Sequence, residues 1–461
     1  MMKTVVLVLV VLGSLWLAGR QHGPLLQMRR EYRLNWEEPL ENSPPLVGFT
    51  TVALGGFRGI IADVLWLRAS KLQEEKKYFE LVQLADWITK LEPRFALVWA
   101  FHGWNMAYNI SVLLDNPADR WRWVKHGFEL MRDQGLFYNP GDPQLHRELG
   151  WIFQHKMGNI LDQAHLYYKR AWAEEMAQLF DGPRPDYVFA RAHPDDPRVK
   201  RMREQYRLDP ALMQAVDAQY GPLDWRLPPA HAIYWAYRGR PYARGFDLVQ
   251  IDRMIFQSMQ DNFWSGRLVV EPAENIFTPS PNPDAFETVN RAYQAARAAH
   301  PEETSIQSAH RNFLKDAILV LYLHHYTRQA RDAFERMREQ YPDATSARSF
   351  EVFVRGEFRA QVRDMSQREA LAMVEGLLGQ AAQWLVIGEE DRWRGAYLAA
   401  RYCWQEYMKT RTDPALVERT GLPPFAVLWQ QARDRAAARA RTAAAKARLA
   451  EAGEAAAPAE E

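Results

Sequence analysis

Residues 78–112 read YFELVQLADWITKLEPRFALVWAFHGWNMAYNISV, and this stretch decides the architecture. Tyr78, Leu81, Val82, Leu84, Ala85, Ile88 and Leu91 follow one another at helical spacings, which places them on one face of an amphipathic helix. Leu91-Glu92-Pro93 ends that helix, because proline has no N–H to give and its ring clashes with the preceding turn. A second run passes through Phe95, Val98, Trp99, Phe101, His102, Met106 and Ile110, and breaks at Asp115-Asn116-Pro117. Two apolar-faced helices joined by so short a break form a helical hairpin.

The pattern recurs. A helix is predicted over 118–137, closing at Tyr138-Asn139-Pro140, and another over 144–157. Gly103-Trp104 follows Pro93 at the same distance as Gly150-Trp151 follows Pro140. Proline separates the helices, and a glycine inside the next one lets a neighbour approach closely. Leu208-Asp209-Pro210 and Tyr341-Pro342-Asp343 repeat the punctuation at unequal intervals.

Segments 78–112 and 326–345 resemble tetratricopeptide repeats. The first aligns Tyr78, Ala85, the Leu91-Glu92-Pro93 closure, Trp99 and Gly103; the second aligns Ala330, Phe334 and Tyr341-Pro342. The chain also resembles signal-bearing helical-repeat proteins of bacteria through Ala62–Arg68 and Gly221–Arg226. The resemblance implies an all-α, degenerate helix–turn–helix array (an α-solenoid) with Pro-rich insertions. It also implies protein binding by a concave helical surface.

Pro-rich connections fall at 181–198, 221–229 and 271–285. Further helices are predicted over 246–263, 284–299, 303–325, 327–341, 345–363, 366–387, 390–410 and 424–450. Leu268-Val269-Val270 has the residue types for one short strand. The domains are accordingly expected at 60–280 and 281–450, followed by a disordered tail over 451–461. The Ala- and Arg-rich end of the last helix reads as solvated.

The N-terminus sets the address. Val5–Ala18 is apolar apart from Gly13 and Ser14, and Lys3 and Arg20 bracket it. A run of this length suits a signal region or a tight anchor. Trp16 is a poor residue for the −3 position of a cleavage site, so residues 1–20 are read as an uncleaved anchor, with 4–19 in the bilayer. Arg20, Arg29, Arg30 and Arg33 follow the run and pull the body towards the cytoplasm. The short Lys3-bearing lead is an ordinary export signal, and the body is read as extracytoplasmic. Residues 21–59 are a polar tether and an uncharged capping segment.

Composition excludes several classes. The chain has 461 residues, with 58 Lys and Arg against 57 Asp and Glu, for a net charge of +1. A dedicated nucleic-acid binder carries a basic surplus that shows in such a sum. One cysteine, Cys403, precludes a disulfide framework and CxxC zinc sites, and a buried thiol is expected there. Gly55–Gly59 lacks the Lys and Ser/Thr of a phosphate loop. Asn109-Ile110-Ser111 has a glycosylation pattern inside a helical stretch.

Chemistry-bearing groups are few. Glu148, His155, Asp162 and His165 span two predicted helices and are candidates for a carboxylate–imidazole cluster, although nothing in their spacing dictates a metal site. His324-His325 points to two helix faces, and His231 caps a helix or lines a pocket. No cofactor and no metal are expected. Seventeen Trp are present. Trp66, Trp87, Trp99, Trp104, Trp121, Trp123, Trp151 and Trp172 fill inter-helix gaps or stack on sugar rings.

The leading expectation is a non-catalytic, membrane-anchored scaffold that binds a protein partner in the bacterial cell envelope. Its abundant Arg would supply carboxylate contacts. Asn105, Tyr108, Trp121, Arg122 and Trp235 are the candidate exposed contacts. The alternative is a polysaccharide-binding module in export. A third class, an α/α-toroid glycan hydrolase, would draw its carboxylates from Glu148, Asp162 and Asp224.

Overall fold

A computed structural model describes residues 57–323, 326–342, 349–363, 365–409, 411 and 413–455, with Gly13, Ser14, Trp16, Arg20, Pro24, Gln27 and Met28. The expected anchor, tether and capping segment, His324-His325 and the last six residues fall wholly or mostly outside these. The chain divides into two compact units, residues 1–68 with 90–92 and residues 69–89 with 93–461. In the first, the Phe57–Glu74 helix begins with Ala62 buried and with Ile60, Ile61, Val64 and Leu67 exposed.

Among the described residues of the second unit, the regular structure is helical except for one antiparallel hairpin, Arg267–Glu271 with Ile276–Ser280. The all-α expectation holds, and Leu268-Val269-Val270 is the strand the sequence suggested. Prolines open many of the helices. Asn116, Asp142, Asp196 and Asp209 each precede a proline, and their side chains accept N–H groups of the first turn. Proline at the first position loses no bond, since that N–H has no partner in the helix.

The sequence placed a boundary near residue 280, but one apolar core runs from Trp99 to Val354 across it. A second core runs from Phe358 to Ala452. The hairpin falls between them because its two faces serve different neighbours. Leu268 and Phe277 pack with Ala173 and Leu227, and Val269 and Ile276 pack on the second core. Alternation along a strand makes this possible. The 271–285 segment, read as a Pro-rich connection, therefore contains the second strand, Ile276–Ser280.

The final helix is a second departure. A continuous helix was expected over 424–450, and the chain instead forms Phe425–Arg439 and Ala443–Ala455. Ala445, Leu449 and Ala452 are buried, so this end is part of the core and not a solvated extension. Gln367–Ile387 is long and apolar enough to cross a membrane by length and composition alone. Here Val374, Leu378, Ala381 and Ala382 carry the second core, and the helix packs against Glu390–Lys409, Phe425–Arg439 and Ala443–Ala455.

Trp121, Phe128, Phe153, Trp172, Trp225 and His231 form a continuous internal ladder of ring contacts. Burying rings of this size contributes much of the core energy. Trp123, on the other side of its helix, is half-buried with its edge on Phe79. Arg side chains make paired contacts to carboxylates, as in Arg226–Asp224 at 2.9 and 2.7 Å and Arg240–Asp252 at 2.6 and 3.2 Å.

Candidate functional site

The helices Ala96–Trp104 and Pro143–Trp151 each run directly into a π-helical turn, Asn105–Ile110 and Ile152–Met157. In both, the Gly-Trp pair before the turn stands at the same distance from a preceding proline, Pro93 or Pro140. A π turn inserts a residue into a helix and re-aims the side chains beyond it, and such turns are frequent at functional sites. Side chains repair the ends of the first one, with Asn105 Nδ2 donating to Phe101 O at 2.9 Å and Ser111 Oγ to Ala107 O at 2.6 Å. A third π turn, Leu130–Gly135, ends the Pro117–Glu129 helix.

The glycines before the turns permit close contact, as their placement suggested. A Cβ on Gly103 would come within 2.6 Å of Gly127 O, and one on Gly127 within 2.5 Å of Gly103 O. At Gly150 the neighbour is Met254 Sδ, at 2.6 Å.

The turns Asn105–Ile110 and Ile152–Met157 each present one ring stacked on the tryptophan that precedes the turn. Trp104 stacks on Tyr108 at 5.0 Å between ring centres, and Trp151 on His155 at 4.7 Å. Tyr108 OH and His155 Nδ1 meet at 3.3 Å.

Beside this pair lies a buried charge network. Lys156 Nζ and Asp162 Oδ2 are 2.5 Å apart, and Arg120 reaches Asp162 Oδ1 at 3.4 Å. Ala164 N–H and Tyr168 OH also donate to Asp162. Burial alone would raise the Asp162 carboxyl, but Lys156, the Ala164 N–H and Arg120 together hold it below its ordinary range. Burial lowers Lys156. Burial, with the nearby carboxylates Glu148 and Asp162, drives the Tyr108 hydroxyl far up, so Tyr108 stays neutral.

A second buried pair adjoins it. Lys169 Nζ is 3.1 Å from His165 Nδ1. Burial depresses Lys169 to about 8 and raises Asp261 to about 7, each opposed by the other's charge. The four residues of the expected carboxylate–imidazole cluster therefore do not form one. Glu148 pairs with Arg147, His155 with Tyr108, Asp162 with Lys156, and His165 with Lys169. Lysine partners for such carboxylates were the signal that the sequence reading passed over. Among the described residues no three His, Cys, Asp or Glu converge as a metal site.

A different site opens in the C-terminal half. The helices Thr304–Leu323, Phe350–Arg363 and Glu390–Lys409 enclose a groove of about 550 Å³. Tyr322, Phe358 and Tyr402 give it an aromatic lining, and Arg355, Arg359, Arg401 and Lys409 its charge. Glu406 is the groove's carboxylate, and Arg359 at 3.0 Å and Lys409 both hold it. Arg355 and Arg401 are exposed and have no carboxylate within ion-pair reach among the described residues. The Tyr402 hydroxyl is buried there without a hydrogen-bond partner. Four cations against one anion make the groove electropositive.

The five candidate contacts are placed unevenly. Arg122 is exposed and paired with Asp119, and Tyr108 is half-buried at the π-turn contact. Asn105, Trp121 and Trp235 are buried, at 0, 7 and 1% exposure, so the surface role expected of them is corrected. Their polar or large faces point inward because the π turn and the aromatic ladder recruit them. His231 lies buried inside the ladder; its Nε2–H donates to Trp225 O at 2.8 Å. Asn109 donates to Asn105 Oδ1 within the turn.

The other tryptophans follow the same trend. Among the described residues only Trp16 and Trp87 are exposed, and Trp66, Trp104, Trp123, Trp151, Trp264 and Trp404 are half-buried. Asp224 is held by Arg226, apart from the Glu148 and Asp162 that flank Tyr108. Cys403 is buried with its thiol 3.5 Å from Met373 Sδ, and burial pushes it up to about 12.

The chain matches no protein-family model, no curated protein and no solved structure.

Proposed function

We propose that this chain is a membrane-anchored, non-catalytic scaffold of tetratricopeptide-like hairpins, which binds an acidic segment of a partner protein in the bacterial cell envelope. The observation that carries the reading is the groove with exposed Arg355 and Arg401 above an aromatic lining. Guanidinium groups pair with carboxylates in planar, two-bond geometry, and aromatic walls add apolar contact to the same segment. The N-terminal apolar run supports the anchor, and the export-like lead before it supports an extracytoplasmic body.

The test is affinity purification of the full-length protein from its own membranes, beside a variant carrying Arg355→Glu and Arg401→Glu. Proteins recovered with the natural chain and lost from the variant support the reading. Recovery of the same proteins with both, or of none with either, sinks it. Protease protection on the same membranes reads the orientation of the body.

A further inference from the structure

We infer that the hollow beside the Tyr108–His155 contact binds the phosphate head of an anionic lipid. The hollow holds about 390 Å³ and is lined by Tyr108, Arg120, His155, Lys156 and Asp162, with Val112 and Leu161 at its lip. Its charge is unbalanced. Lys156 and Arg120, whose side chains are only 4 and 14% exposed, share one carboxylate. The other nearby carboxylate, Glu148, is engaged by Arg147. A buried cation without its own counter-ion is costly, and an incoming anion removes that cost. Lys156 has three N–H donors, and among the described residues its ion-pair partner is Asp162. Its ammonium also sits over the Tyr108 ring, at 5.2 Å.

The lip says what kind of molecule carries the anion. Val112, Leu113, Ile160 and Leu161 are 50, 53, 76 and 72% exposed. The short 3-10 turn Ser111–Leu113 and the loop 158–164 hold them out, and the charge network fixes both. Arg120 Nε donates to Leu114 O, and Asp162 accepts from Arg120 and from Ala164 N–H. Four apolar side chains held in water beside a cationic hollow suit a ligand that is anionic at one end and apolar at the other. This site is separate from the arginine-lined groove, so either proposal can fail without the other.

The test uses the full chain in a neutral detergent, with thermal unfolding read against added ligand. Soluble short-chain phosphatidylglycerol is expected to raise the unfolding temperature in a saturable way, and phosphatidylcholine of the same chain length to do so at least about tenfold less tightly. Lys156→Met should abolish the phosphatidylglycerol effect, and Lys200→Met, at an exposed lysine outside both sites, should leave it. If Lys156→Met does not fold, the exposed pair Ile160→Ser and Leu161→Ser serves instead, and it should weaken the lipid response. An equal response to both lipids, an unchanged response in Lys156→Met or in the Ile160/Leu161 pair, or no response at all overturns the proposal. Inorganic phosphate that matches phosphatidylglycerol overturns the lipid assignment, because the lip then has no role.

Discussion

Tyr108 and His155 stand 47 residues apart and touch, with Tyr108 OH 3.3 Å from His155 Nδ1. Each lies four positions beyond a tryptophan and stacks on it. Each is carried by a π turn that follows a Gly-Trp pair. Two π turns that each follow a Gly-Trp pair thus meet through the ring each carries. The same turn brings Lys156 beside Asp162, and the network's energetics follow from its burial.

Asp162→Asn should cost about 3–5 kcal/mol in equilibrium unfolding, because it leaves Lys156 and Arg120 buried without their shared anion. The sign with pH is fixed by the depressed carboxyl. Its contribution is complete above the ordinary carboxylate range and is lost as pH falls through the lower folded-state value. The variant should lose part of the wild-type chain's acid sensitivity. Denaturant titrations at neutral and acidic pH check both points, and an unchanged midpoint counts against the network.

Gly103→Ala should destabilise by about 1–3 kcal/mol, since the new methyl meets Gly127 O where backbone cannot yield. Gly376→Ala is the counterpart. Gly376 is exposed within the Gln367–Ile387 helix with nothing near its missing Cβ, so alanine should stabilise by about 0.5–1 kcal/mol. Opposite shifts of the unfolding midpoint are the expected outcome.

His146, His231 and His310 should make stability fall on mild acidification. Burial depresses each imidazole to about 4. The unfolded chain takes up these protons near the ordinary value of about 6.5, and the folded chain does so only near 4. Stability is therefore full above that ordinary value and declines as pH drops towards 4, by about 2 kcal/mol for each ring at pH 5. Thermal unfolding at pH 7 and pH 5 measures it. His310→Gln should lessen the decline; a pH-independent unfolding temperature contradicts the assignment.

Glu274→Gln should loosen the end of the chain. The Glu274 carboxylate accepts Arg441 N–H at 2.8 Å and Thr442 N–H at 3.0 Å, at the start of the Ala443–Ala455 helix. An anion at a helix N-terminus is favourable. These backbone bonds also hold the carboxyl below its usual range. Hydrogen exchange over 443–455 should quicken in the variant, and in the wild-type chain as pH falls through the lowered carboxyl value. Unaltered exchange would mean that the break at Ala440 has another cause.

Much of the helical framework was legible because its causes are local. Apolar spacing predicted Thr304–Leu323, Gln367–Ile387 and Glu390–Lys409 to within a few residues. The Pro-bearing steps read as breaks between helices also start the next ones, with Asn116, Asp142, Asp196 and Asp209 as caps and proline at the first position. The candidate site was half legible. Tyr108, His155 and Asp162 stood out as residue types, but their partners Lys156 and Arg120 did not, because nothing in residue order shows which charges are shut away from water.

By itself, the sequence determined the all-α class, the repeated Pro and Gly-Trp punctuation, and the close approach that Gly103 permits. These rest on backbone chemistry that each residue carries with it. Tertiary structure alone decided the rest. It placed the core boundary near Phe358, because the hairpin can serve a different neighbour on each face. It split the last helix, because a carboxylate distant in the chain satisfies N–H groups there. It turned Asn105, Trp121 and Trp235 inward, because burial depends on which helices pack together, and that is a property of the whole chain.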